Sequence, residues 1–135
     1  MNHKLQLTQQ ETDRMLRLAR AEAQTNQWAV SIAIVDDGGH LLALERLDGC
    51  APIAAYIATE KARTSALGRR ESGSYESMIN GGRQAFLSAP LLQGMLEGGV
   101  PVLVEGQVVG AVGVSGVMAS QDVQVARKAV AALEI

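Results

Sequence analysis

The chain has one cysteine, one tryptophan, one phenylalanine and two tyrosines in 135 residues. A single thiol, Cys50, can form no internal disulfide and no multi-thiolate zinc site, which fits a reducing compartment and makes the cytoplasm the expected location. Aromatic residues at 3% are too few for a base-stacking platform, and 12 Lys+Arg against 14 Asp+Glu leave no basic excess to neutralise phosphates. No nucleic-acid partner is expected. No apolar run reaches bilayer length, and the opening MNHKLQLTQQETDR lacks a cationic segment followed by an apolar stretch, so neither a membrane partner nor a processed leader is expected. Linkers, repeats and low-complexity tracts are also missing. What remains, at 47% hydrophobic and 19% charged, reads as one globular domain over residues 1–135.

Periodicity orders that domain. Thr8-Gln9-Gln10-Glu11 has the form of a capping box, and Met15, Leu16, Ala19 and Ala23 follow at helical spacing, so a first helix is predicted to run to about Asn26. Arg14, Arg17, Arg20 and Glu22 are left for water or a neighbouring subunit. In WAVSIAIV, Val30, Ile32 and Ile34 share one face and Ala29, Ser31, Ala33 and Val35 the other, as in a strand covered on both sides. Asp37-Gly38-Gly39 predicts a tight hairpin into LLALERL. A second helix starts at Pro52 and stops near Gly68, with Ala54, Ala58 and Ala62 as a row of small side chains suited to close packing. Residues 69–96 are the least regular, with short helical pieces predicted around Ser74–Asn80 and Pro90–Met95. Two strands across Glu105-Gly106-Gln107 and a closing helix in ASQDVQVARKAVAAL complete the chain. The order predicts an α+β fold, one antiparallel sheet with packed helices.

Several residues are candidates for chemistry. Arg46 and Asp48 lie two apart at a strand end, on one side, where they pair with each other or grip a polar ligand. Lys61 sits on the alanine face of the second helix, followed by Arg63 and Thr64; it binds an anion, acts as a base, or simply reaches an acidic partner. His40 and His3 are the two imidazoles, and Met78, Met95 and Met118 the soft donors of the middle and late chain, against the simpler readings of exposed polar groups and core filling. Tyr56 and Tyr75 stay ambiguous. Gly110, Gly113 and Gly116 recur every three residues, a spacing that fits neither a dinucleotide fingerprint nor a phosphate loop. They read either as tight strand-to-helix packing or, with Ser115, as the floor of a ligand site. Ser120 or Asp122 is placed to cap the last helix.

Taken in order, V-D-x-x-G-x-L at Val35–Leu41, R-x-D at Arg46–Asp48, K-A-R-T at Lys61–Thr64, G-G-x-P at Gly98–Pro101, G-x-x-G-V-S-G at Gly110–Gly116 and Gln121-Asp122 resemble the GlcG/HbpS-like, haem-degrading-domain family. The resemblance covers nearly the whole chain. It implies a profilin-like sandwich around a central antiparallel sheet, self-association into homo-oligomers, and relatives that include haem-binding proteins, the C-terminal domain of PduO-type corrinoid adenosyltransferases and proteins of catabolic gene clusters. The leading expectation is a cytoplasmic, oligomeric small-molecule-binding protein with haem or another tetrapyrrole as candidate ligand and cofactor. On that reading Arg46, Lys61 and Arg63 meet carboxylates, Gly113, Ser115 and Gly116 line the floor, and His40, or less suitably Thr64, faces the iron. The alternative is a cofactor-free enzyme acting on a small organic acid or catabolic intermediate by hydrolysis, deamination or isomerisation, with Lys61 and Asp48 as the acid–base pair. A second alternative is a non-catalytic assembly protein that works through Arg14, Arg17 and Arg20.

Overall fold

The computed structural model describes residues 1–133. Thr8 caps the first helix, α1 (Gln9–Thr25): its hydroxyl oxygen accepts the Glu11 amide, and Glu11 in turn accepts the Thr8 hydroxyl at 2.9 Å. Strands β1 (Ser31–Asp36) and β2 (Leu41–Arg46) form the first hairpin. Gly39 supplies a φ of +79°, and the Asp36 carboxylate accepts the amides of Gly38 and His40, each at 2.9 Å. Leu42 is an extra residue in β2, because Ile34 pairs with Ala43 and Val35 with Leu41.

Pro52 opens α2 (Pro52–Gly68), where its missing N–H costs nothing. The left-handed residue that ends this helix is Arg69 (φ +58°), not Gly68. Gly68 is required for a different reason: a Cβ there would press on the Tyr75 ring, 2.9 Å from its edge. After α3 (Ser72–Asn80) the second helical piece is a 3₁₀ turn at Gln84–Ser88, and the helix expected at Pro90–Met95 does not form. Tertiary contact overrides the Pro90 signal there. Leu91 takes a φ of +64°, and the Gly94 amide donates to the buried Thr64 hydroxyl at 3.0 Å instead of entering a helical turn. Strands β3 (Gly99–Val104) and β4 (Gln107–Ser115) meet at a two-residue turn with positive φ at both Glu105 and Gly106, the geometry that suits the twist of a hairpin. Helix α4 (Ala119–Val130) tightens into a 3₁₀ turn at Ala131–Leu133.

The sheet is antiparallel throughout, in the order β2-β1-β4-β3. Its two faces differ in kind. Val30, Ile32, Ile34, Val112 and Val114 pack under α1 and α4 against Met15, Ala19, Val125 and Ala129. On the other face Ala33, Val35 and Ala111 pack with Ala58, Ala62 and Ala66 of α2. Register explains how that helix is seated. Leu44, Ala33, Gly113 and Gly99 are successive cross-strand partners, a track that narrows to glycine over β4 and β3 and widens at β2. Helix α2 sinks into the narrow end, and the α2-facing side chains of β2 stay largely uncovered. Among the described residues no helix is long and apolar enough to cross a membrane.

Candidate functional site

Residues from four of the sequence motifs, K-A-R-T, G-G-x-P, G-x-x-G-V-S-G and Gln121-Asp122, converge on one buried junction. The Lys61 ammonium, 4% exposed, donates to the Val114 carbonyl at 3.0 Å and to Asp122 Oδ2 at 3.2 Å. The other Asp122 oxygen accepts the Val117 amide at 3.2 Å, just ahead of α4. Burial pushes the Asp122 carboxyl above its ordinary range; the Lys61 charge and the Val117 amide oppose that without cancelling it. Gly98, with φ +137°, passes so close to the lysine that a Cβ would lie 2.7 Å from Nζ. Gly99 meets the Lys61 carbonyl, and Gly113 meets Ala58 O and Ala62 N, a Cβ there falling 2.5 Å or less from both. Of the two sequence readings of the glycines, Gly113 therefore takes the packing one, against α2. Gly116 (φ +140°) is exposed, although a Cβ there would lie 2.6 Å from the Ala29 carbonyl oxygen, and Ser115 is buried, its carbonyl 3.9 Å from the Cys50 sulfur.

Of the residues expected at a ligand, Lys61, Thr64, Gly113 and Ser115 are buried inside the fold, where Lys61 and Thr64 bond to other elements and Gly113 packs against α2. Lys61 and Asp48 do not come together: the lysine is used by Asp122, and Asp48 is exposed beside Trp28, Leu47 and the Arg20–Glu45 pair. That pair is bidentate, with Arg20 Nη2 2.6 Å from Glu45, and it holds the Glu45 carboxyl below its ordinary range despite partial burial. His40 is 81% exposed at its side chain, with Nδ1 3.1 Å from Asp36. Met95 lies beside a neighbouring apolar hollow of about 510 Å³ between α3 and the segment 89–96, and Met118 is exposed.

Two of the expected residues do share an open surface. Arg46 at the end of β2 and Arg63 on α2 line a groove of about 730 Å³ between that edge strand and the helix. The volume suits a small organic ligand or a cofactor. Leu44, Pro52, Ala55 and Tyr56 give it apolar walls, and Thr59, Glu60 and Gln93 its remaining polar groups. Arg63 pairs with Glu60 and donates Nε to the Gly39 carbonyl at 3.5 Å, which leaves further N–H groups of its guanidinium for a ligand. Leu44, Tyr56, Glu60 and Gln93 were missed as groove residues by sequence reasoning. The signal was the recurrence of Pro52, Ala55, Tyr56, Thr59 and Arg63 at helical spacing on the flank of α2 away from the alanine row.

Comparison with known proteins agrees with the fold and the motifs. The chain is 63% identical over 115 residues to Protein GlcG of Escherichia coli strain K12, a match that covers 85% of each chain. Its structure is similar to that of a double mutant of HbpS from Streptomyces reticuli, with a TM-score of 0.90 and 27% identity over 100% of this chain and 92% of that one. It is similar also to the PduOC:heme complex, with a TM-score of 0.87 and 25% identity over 96% of each chain. The family described as haem degrading protein, HbpS-like, matches residues 7–131, and this chain belongs to that family.

Proposed function

We propose that this protein binds haem or another tetrapyrrole in the groove between β2 and α2. The observation that carries the reading is the pairing of two guanidiniums, Arg46 and Arg63, with apolar walls in one open groove. A tetrapyrrole asks for that combination: apolar surface for the ring and charge-assisted donors for its carboxylates. A structural neighbour crystallised with heme supports it. A haem held there would bring an iron centre to a fold whose described residues contain no cluster of three metal-ligating side chains. Titration of the purified protein with haemin, followed at the Soret band, is expected to saturate near one haem per groove. Arg46→Ala or Arg63→Ala should each weaken binding by roughly tenfold, the worth of one charge-assisted contact. A linear, non-saturating change unaffected by either variant would move the search to small organic acids.

Self-association is the second part of the reading. Strand β2 is an open sheet edge with Leu41, Leu42 and Leu44 exposed, and Leu67 is exposed near Gly39 of the hairpin, whereas the opposite edge strand, β3, carries Pro101, a residue without an N–H to offer. Sedimentation is expected to give a species heavier than the 14.2 kDa chain. Leu42→Lys should shift it toward the monomer, and a wild-type protein that sediments as a monomer at tens of micromolar would sink this assignment.

A further inference from the structure

If the groove takes an iron tetrapyrrole, a groove side chain that meets the metal must carry a donor lone pair, and the groove offers few. Arginine has no lone pair to give, and both Arg46 and Arg63 are accounted for by charge. Thr59 is a neutral hydroxyl that donates to the Ala55 carbonyl at 2.9 Å, and Glu60 is held by Arg63. The Gln93 side chain is a neutral amide. His40 lies outside the groove with its ring on Asp36. Tyr56 remains: the residue is 73% exposed and lines the groove.

We propose that Tyr56 is the iron ligand of this groove, through its phenolate, an inference that rests on the tetrapyrrole reading above. Tyrosinate is an established type of protein ligand to haem iron. Spacing along α2 favours it. Tyr56 and Arg63 are seven residues apart, two helical turns on one flank, so their backbone positions differ by about 10 Å along the axis. Both side chains therefore border the same groove, and one ligand can meet the two. The ligation balances simply. Ferric haemin gains an iron–oxygen bond, loses its water or chloride ligand, and the phenol proton passes to solvent, with no change of oxidation state.

The test uses Tyr56→Phe, which keeps the aromatic wall and removes the donor; because the side chain is exposed, the fold should be untouched, and thermal melting checks that. Wild type and variant are titrated with haemin and, in parallel, with metal-free protoporphyrin IX, and the haemin complexes are compared by absorption and resonance Raman spectroscopy. The expected result is an iron–phenolate signature in the wild type that vanishes in Tyr56→Phe, with haemin affinity down by about tenfold and protoporphyrin affinity unchanged. An unchanged haemin spectrum and affinity in the variant would overturn the assignment of Tyr56 alone. Equal loss of both porphyrins would reduce Tyr56 to a piece of wall and overturn it as well. If neither porphyrin saturates the wild type, the tetrapyrrole reading falls, and the iron ligand with it.

Discussion

Gly113→Ala is expected to cost about 3 kcal/mol of stability, the upper end for adding one carbon to a packed interior, and to lower the Tm by roughly 10 °C. The reason is what the methyl group meets. At most crowded positions an added carbon pushes on a side chain that can rotate away. At Gly113 it meets the Ala58 carbonyl oxygen and the Ala62 amide nitrogen, both parts of the α2 backbone. Relief requires the whole helix to lift from the sheet, and with it the alanine contacts to Ala33 and Ala111. Gly106→Ala is the control. Its φ of +76° makes alanine strained, but nothing lies within 4 Å of the added carbon. About 1 kcal/mol is expected there. Thermal melts of the two variants decide the matter: equal, small losses would mean that α2 is not seated on the Gly113 backbone.

Lys61→Met should be as damaging, for an electrostatic reason. The ammonium and the Asp122 carboxylate are both almost fully buried, so removing one partner strands the other charge in the interior at a cost of about 3–5 kcal/mol. Replacing both together as Lys61→Met with Asp122→Asn should recover a large part of that loss, since no unpaired charge is then left. A double-mutant cycle in guanidinium chloride measures the recovery. Simple additivity of the single losses would show that the two groups do not act as a pair. The pH dependence of the Lys61→Met variant gives a second reading. Burial already holds the Asp122 carboxyl above its ordinary value, and loss of the lysine removes a force that lowers it. A raised folded-state pKa means that the fold binds the proton more tightly than the unfolded chain does, so stability falls as pH rises through that pKa. The deficit of Lys61→Met should therefore shrink on acidification toward the ordinary carboxylate range and be largest near neutrality.

Both hairpins were legible in the sequence because local chemistry decides them: alternation at Val30, Ile32 and Ile34, and the turn residues Asp37-Gly38-Gly39 and Glu105-Gly106. The first and last helices were legible from their apolar spacing, and the second from Pro52 and its alanine row. Pro90–Met95 was misread because the deciding contact, the Gly94 amide on Thr64, joins residues 30 apart. The site divides in the same way. Arg46 and Arg63 stand out as cations in any reading of the chain, but their sharing one groove depends on how α2 tilts across the sheet. Lys61 stands out as a charge on an alanine face, yet its partner is 61 positions away, and spacing alone does not distinguish an anion-binding lysine from one already satisfied by Asp122.

The unequal faces of the sheet also bear on how such a sequence can change over time. Along β1, Ile32 and Ile34 point into a layer of mixed branched side chains, where one apolar group can replace another of similar volume if its neighbours adjust. Ala33, between them, points at a helix that leaves no room for a larger group. Neighbouring positions of one strand thus drift under different rules, with polarity constrained on one side and size on the other. Substitutions can accumulate under α1 and α4 while Ala33, Ala111 and Gly113, beneath the alanine row of α2, stay confined to small residues.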